Sequence, residues 1–256
     1  MPRTIIASAR SVASRRYSPR DQVNHISIPI SGGFVNFGNI ELSGEAGKYF
    51  SVFQWVRFGP DAPASRATAS KFNFGTGQRS WAITSPSGQF KIFASADGGT
   101  VNMKQYQTYK YFNDGAWHPI GYIWENGTLR FCADLDYDLA MNKLADPAFT
   151  HLHQGSANVS LGSLTSGGSF PNGWVGGLGP AVTSTKPVTE ADWLNFVYDG
   201  LSPDDLSLEC LMKTPGGNVL DTSGNGYDGV LAGTAVWKAN GPFGERSTAS
   251  TRALVT

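Results

Sequence analysis

The stretch that most constrains this chain is "HPIGYIWENGTLRFCA", residues 118–133. His118, Ile120, Tyr122 and Trp124 recur every second residue, Asn126-Gly127 follows, and Leu129, Phe131 and Ala133 alternate on the way back. A period of two is the signature of a strand with one buried face. Asn-Gly favours a two-residue turn in which both central residues take positive φ, matching the twist of the flanking strands. Such a turn fixes the register, because a slip of one residue would turn every apolar side chain to the opposite face. The chain is therefore committed to antiparallel pairing here, and a lone hairpin needs further strands to be stable.

The same period recurs on both sides. Ile26, Ile28 and Ile30 alternate in "HISIPIS". In "YFSVFQWVRF" (49–58), Phe53 and Trp55 share one face, and Val52, Val56 and Phe58 share the other. Both faces are apolar, which predicts a central strand covered on each side. "KFNFG", "SWAITSP" and "GQFKIFAS" continue the pattern between Gly, Pro and Ser. With 31 Gly, 14 Pro and 16% charged residues in 256, the composition suits many short strands joined by turns. One helix is predicted, in "VTEADWLNFVYDG": Thr189 caps it with Asp192 three residues on, Trp193, Phe196 and Val197 form its apolar stripe, and Gly200 can end it.

Three segments follow from this pattern: a basic arm (1–23), a β-rich body (24–238) and a polar tail (239–256). The arm carries Arg3, Arg10, Arg15, Arg16 and Arg20 and no acid through residue 20, so the rest holds 15 basic against 20 acidic groups, a balance of −5. A body of that charge argues against nucleic-acid binding. The arm reads as a solvated tail or as an assembly strap, since Arg pairs bidentately with carboxylates on a neighbour. Its Arg- and Ser-rich composition also resembles a transit peptide. No run of 18 apolar residues is long enough to span a membrane as a helix. Cys132 and Cys210 are too few for a metal cluster or a disulfide framework; they read as two buried thiols, with a single disulfide as the alternative.

Four stretches together resemble the laminin-G-like domains of the concanavalin A-like lectin/glucanase superfamily. "YFSVFQWVRF" is similar to that family's F-x-x-x-x-W-V strand, and "NDGAWHPIGYIWENGTLRFCAD" to its N-D-G-x-W-H-x-V hairpin. "NGWVGGLGPAVTSTKPVTEADWLNFVYDG" resembles the segment that closes on a short helix, and "LDTSGNGYDGVLAGTAVW" the D-x-S-G-N-G strand pair. The resemblance covers about residues 24–240. It implies an all-β fold: an antiparallel two-sheet jelly roll with one short helix and an extended N-terminal arm. It also implies a setting among secreted adhesins and phage virion proteins. Two departures stand out. "FCADLD" replaces the family's Y-V-D-G, so a longer excursion through Asp138 is expected in place of the tight turn. Gly176-Gly177 stands where an acidic residue is usual.

Several constellations could carry chemistry. The E-x-D-x-x-E strand of the family's hydrolytic relatives does not occur. Asp134, Asp136 and Asp138 would crowd one face if extended, so they are either a cation (calcium) site or a solvated loop. His151 and His153 share metal-ligand spacing without an evident third ligand. His118 reads as a satisfied sheet histidine, and Trp117, just after Asp114-Gly115, as a plug for one end of the sandwich. Asp221, Asn225 and Asp228 read as turn formers, with a cation clasp as the alternative. Trp124, Trp174, Tyr227 or Trp237 could stack on sugar rings if exposed. The expectation is a non-enzymatic, cofactor-free structural protein on a bacteriophage virion: a capsid decoration that docks on capsid or other virion proteins through its arm. The alternative is a carbohydrate-binding lectin or tail-fibre adhesion module whose partner is a host-surface glycan. Self-association stays open.

Overall fold

The computed structural model describes residues 24–29, 32–41, 47–59, 66–73, 76–164, 173–199, 206–212, 215–239 and 241–243. The five arm arginines and residues 244–256 of the tail lie outside them. Two antiparallel sheets pack face to face. The first, seven-stranded, runs in the order β16 (Val236–Ala239), β1 (Asn24–Ile28), β12 (Gly176–Ser184), β3 (Tyr49–Phe58), β8 (Trp117–Glu125) and β9 (Thr128–Ala133), with β13 (Leu206–Cys210) also paired to β12. The second, nine-stranded, runs β10 (Met141–Ala145), β7 (Met103–Thr108), β6 (Lys91–Ser95), β5 (Gln78–Ser85), β4 (Arg66–Asn73), β11 (Val159–Leu161), β2 (Phe34–Asn36), β15 (Gly229–Ala232) and β14 (Asn218–Val219).

The opening hairpin forms as its pattern requires. Ile120 pairs with Ala133 and Glu125 with Thr128 across β8 and β9. Asn126 and Gly127 take φ of 44° and 96°, as both positions of the turn demand. Their inward residues Ile120, Tyr122, Trp124, Leu129 and Phe131 join Trp81, Ile83, Ile92 and Tyr106 of the opposite sheet in the main core. β3 lies centrally between β12 and β8. Its Val52, Val56 and Phe58 enter that core, while Phe53 and Trp55 enter a second cluster on the outer face of the sheet.

That outer cluster is why the chain needs its helix, α1 (Glu190–Asp199). Thr189 and Asp192 cap it reciprocally: the Thr189 N–H donates to Asp192 Oδ2 at 2.7 Å, and the Asp192 N–H to Thr189 Oγ1 at 3.3 Å. The buried stripe Trp193, Phe196 and Val197 then covers Phe53, with Trp193 edge-on at 5.2 Å. Burying a side chain of that size contributes about 2–3 kcal/mol. The body continues past the sequence boundary at residue 238, because Phe243 is buried against Trp55 at 5.3 Å. Cys132 and Cys210 are free, buried thiols whose pKa burial pushes well up, which makes them small hydrophobes rather than nucleophiles.

Candidate functional site: a groove at one end of the sandwich

Four chain segments meet at one rim of the sandwich. Ser27, Ile28 and Pro29 end β1, Arg57, Phe58 and Gly59 end β3, Asn113, Asp114 and Gly115 precede β8, and Val175, Gly176 and Gly177 open β12; together they enclose a groove of about 560 Å³. That volume lies in the range of small-molecule sites. Its shape depends on the Gly-Gly pair. A Cβ on Gly176, whose φ is +139°, would lie 2.0 Å from the Arg57 carbonyl oxygen, and one on Gly177 would lie 2.5 Å from the Trp117 indole. At both positions a neighbour already occupies the space a side chain would need.

Trp117 does not plug the end of the sandwich as expected. It joins the cluster on the outer face of the first sheet, half-buried, with the Arg57 guanidinium 4.9 Å above its ring and His25 edge-on at 5.2 Å. β3 and β8 pair Arg57 with Trp117 directly, so the stacking follows from register. Arg57 also lines the groove.

On the other wall, Asp114 Oδ1 accepts the Ala116 N–H at 2.9 Å and lies 2.8 Å from His118 Nε2. His118 Nδ1 lies 2.8 Å from Asp134 Oδ1, and Lys110 Nζ donates to Asp134 Oδ2 at 2.5 Å. His118 is thus a satisfied sheet histidine, as read from sequence, but satisfied on both nitrogens by carboxylates. Burial alone would lower its pKa; the two carboxylates outweigh burial and raise it. They are held below the usual carboxylate range in return: Asp114 chiefly by its bond to His118, Asp134 against its own burial by His118 and Lys110.

Of the two readings of the acidic trio, the structure shows the exposed loop. Ala133 and Asp136 exchange backbone hydrogen bonds at 2.9 and 3.0 Å, and Asp134 takes φ of 56°. The turn therefore stays tight, and Asp134, Asp136 and Asp138 do not extend along one face. Asp134 is drawn to His118 and Lys110, while Asp136 Oδ1 accepts the Asp138 N–H at 3.1 Å. They line an open basin of about 670 Å³ with Lys110, Tyr137 and Glu190, yet no three metal-ligating groups converge there or elsewhere among the described residues. The calcium reading fails on that geometry. The His151–His153 pair likewise does not assemble: His151 is exposed and His153 Nε2 lies 3.4 Å from Gln78 Oε1. Asp221 accepts N–H groups from Glu209, Ser223 and Tyr227, building turns rather than a clasp. Of the four aromatics proposed for sugar stacking, Trp124 and Trp174 are buried core residues, and Trp237 packs against the core with its N–H bonded to Gly216.

Sequence reading missed Arg57 and Asp114 as site residues. One signal was present for the second wall: the register set by Asn126-Gly127 pairs Ile120 with Ala133, which places Asp134 across from Pro119 and beside His118.

No family profile and no characterised protein matches the sequence. Solved structures match the fold. A native heptameric SAP-like pentraxin from Limulus polyphemus superimposes with a TM-score of 0.59 at 14% identity, over 87% of this chain and 97% of that one. A candidate carbohydrate-binding protein from Bacteroides ovatus gives 0.62 at 12% identity, over 85% of this chain and 60% of that one. Full-length tailspike protein 2 of an Escherichia coli O157:H7 bacteriophage gives 0.54 at 11% identity, over 76% of this chain but 27% of that one. At these identities the likeness establishes the architecture alone, an antiparallel two-sheet jelly roll.

Proposed function

We propose that this chain is a non-enzymatic carbohydrate-binding module, carried on a bacteriophage virion surface, that holds host-surface glycans in the rim groove. The groove itself carries the reading. Sugar hydroxyls both donate and accept, so their site needs a fixed acceptor, fixed donors and apolar flanks. Asp114 supplies the acceptor, Arg57 and Asn113 supply donors, Ser27 supplies both, and Pro29 supplies an exposed apolar flank, with Ile28, Phe58 and Val175 buried behind the wall. The likeness to a candidate carbohydrate-binding protein and to a phage tailspike supports the ligand class and the setting.

Electrostatics favour binding over cleavage. Glycoside hydrolysis needs one carboxyl kept protonated by a raised pKa beside an ionised partner. Among the described residues, the carboxyls whose pKa departs from its ordinary value (Asp97, Asp114, Asp134, Asp146 and Asp221) all move down. The capsid-decoration reading depends on the five arm arginines and is tested separately by deleting residues 1–22, which should abolish incorporation into particles. A glycan array probed with the full chain tests the module itself: bound glycans should lose about tenfold or more in affinity in Arg57→Ala, a charge-assisted contact's worth. Binding unchanged in that variant moves the site elsewhere, and an array with no bound glycan ends the reading.

A further inference from the structure

We propose that His118 is the positioning residue of the groove: with its proton on, it holds the Asp114 carboxylate in the groove wall, and on losing the proton it releases Asp114. The inference concerns the regulation of the site and rests on the groove reading. A neutral imidazole has one N–H and one lone pair, so it can donate to one carboxylate only. Here both ring nitrogens face carboxylate oxygens at 2.8 Å. Only the imidazolium satisfies both contacts. In the neutral ring, one nitrogen lone pair would face a carboxylate oxygen at hydrogen-bond distance, and that contact must open.

The surroundings decide which contact opens. Asp134 is held at both oxygens, by His118 and by Lys110, its backbone N–H is bonded to the Pro119 carbonyl, and its side chain is 33% exposed. Asp114 is 61% exposed and, besides His118, has only its own turn contact to the Ala116 N–H among the described residues. It can reach water by rotating outward, whereas Asp134 would have to abandon Lys110. The proton therefore stays on Nδ1 toward Asp134, and Nε2 lets Asp114 go. Among the described residues no further charged group competes for the ring: Phe112 packs edge-on against it at 5.2 Å, and its cross-strand neighbour on β3 is Val56. Arg57 and His25 lie on the opposite face of the sheet with Trp117, and Asp136, Asp138 and Glu190 face the basin beyond Asp134.

While His118 holds it, Asp114 receives both bonds on Oδ1, and Oδ2 has no hydrogen bond among the described residues. A fixed acceptor of this kind lowers the ordering cost of binding, and a swinging one restores it. Glycan affinity should therefore fall about tenfold as the pH rises from 5.5 to 8.5.

NMR on the ligand-free full chain and a glycan array read at both pH values test the proposal together. The His118 ring should titrate above the ordinary histidine value, and the amide signals of Asp114 and Gly115 should move with the same midpoint. Asp114→Asn should lower that midpoint and remove the pH dependence on the array. A ring midpoint at or below 6.5, or loop signals that do not follow the ring, overturns the positioning role. So does equal array binding at the two pH values, which would leave the glycan reading standing. An array blank at both pH values instead removes the glycan reading, and the ring titration still decides what His118 does to Asp114.

Discussion

His25 and His118 are both buried at the same rim, on strands separated by β12 and β3, yet their ordinary pKa is displaced in opposite directions. His25 lies on the outer face, 3% exposed, with Trp117 edge-on against it and no partner for Nδ1 among the described residues. Burial, aided by the Arg57 and Lys238 cations, lowers its pKa to about 4. His118 lies on the inner face between two carboxylates that overcome the same burial. Burial by itself only penalises the charged form; what a loop brings to the ring decides whether that penalty stands. Near pH 6 the two rings should thus carry different charges on the two faces of one sheet, one neutral beside Arg57 and one cationic beside Asp114.

Removing the cover from His25 should break the comparison most violently. Trp117→Ala deletes the indole that stacks under Arg57 and shields His25, at a cost of about 3 kcal/mol in denaturant unfolding. Water then reaches the ring, so the His25 pKa should climb from about 4 toward 6.5. A value that stays near 4 would mean that Arg57 and Lys238, rather than Trp117, hold it down.

The two histidines also predict opposite limbs of a pH–stability curve. Between about pH 6.5 and 4 the unfolded chain protonates His25 while the folded chain does not, so stability falls as pH falls through that window. His25→Leu should flatten this limb by about 2 kcal/mol, measured as the difference in unfolding free energy between pH 6.5 and pH 4. His118 works the other way. Its folded pKa is raised, so its contribution is complete below the unfolded value and is lost as pH rises through the folded one. The alkaline limb should therefore persist in His25→Leu.

What could be read from sequence divides along the same line. β3, the β8–β9 hairpin and the α1 cap are local patterns: alternation, an Asn-Gly turn, and Thr189 with Asp192. Each is decided by residues within a few positions of one another, and each forms as written. The groove is assembled from residues 27–29, 57–59, 113–115 and 175–177, which only the sheet order brings together. Periodicity says nothing about which loops share a rim, so Arg57 reads as one charged residue at a strand end and Asp114 as half of a turn. The acidic trio took the loop alternative rather than the cation one for a related reason: crowding along one face assumes an extended chain, and one residue at positive φ, Asp134, was enough to aim its carboxylate away from the others.

The smaller effects separate the two carboxylates that make His118 different from His25. Asp134→Asn removes the partner that is shared with Lys110 and partly shielded from solvent, leaving the Lys110 ammonium without its carboxylate and the ring with one anion. It should cost about 1–2 kcal/mol near neutral pH and lower the His118 pKa. Asp114→Asn also lowers that pKa, but its carboxylate is mostly in water, where ion pairs contribute little, so the loss should stay below about 1 kcal/mol. An equal cost for the two would mean that Asp114 is bound into the fold as firmly as Asp134. It could not then be the arm of the clamp that opens, and the groove wall would be rigid at every pH at which the protein folds.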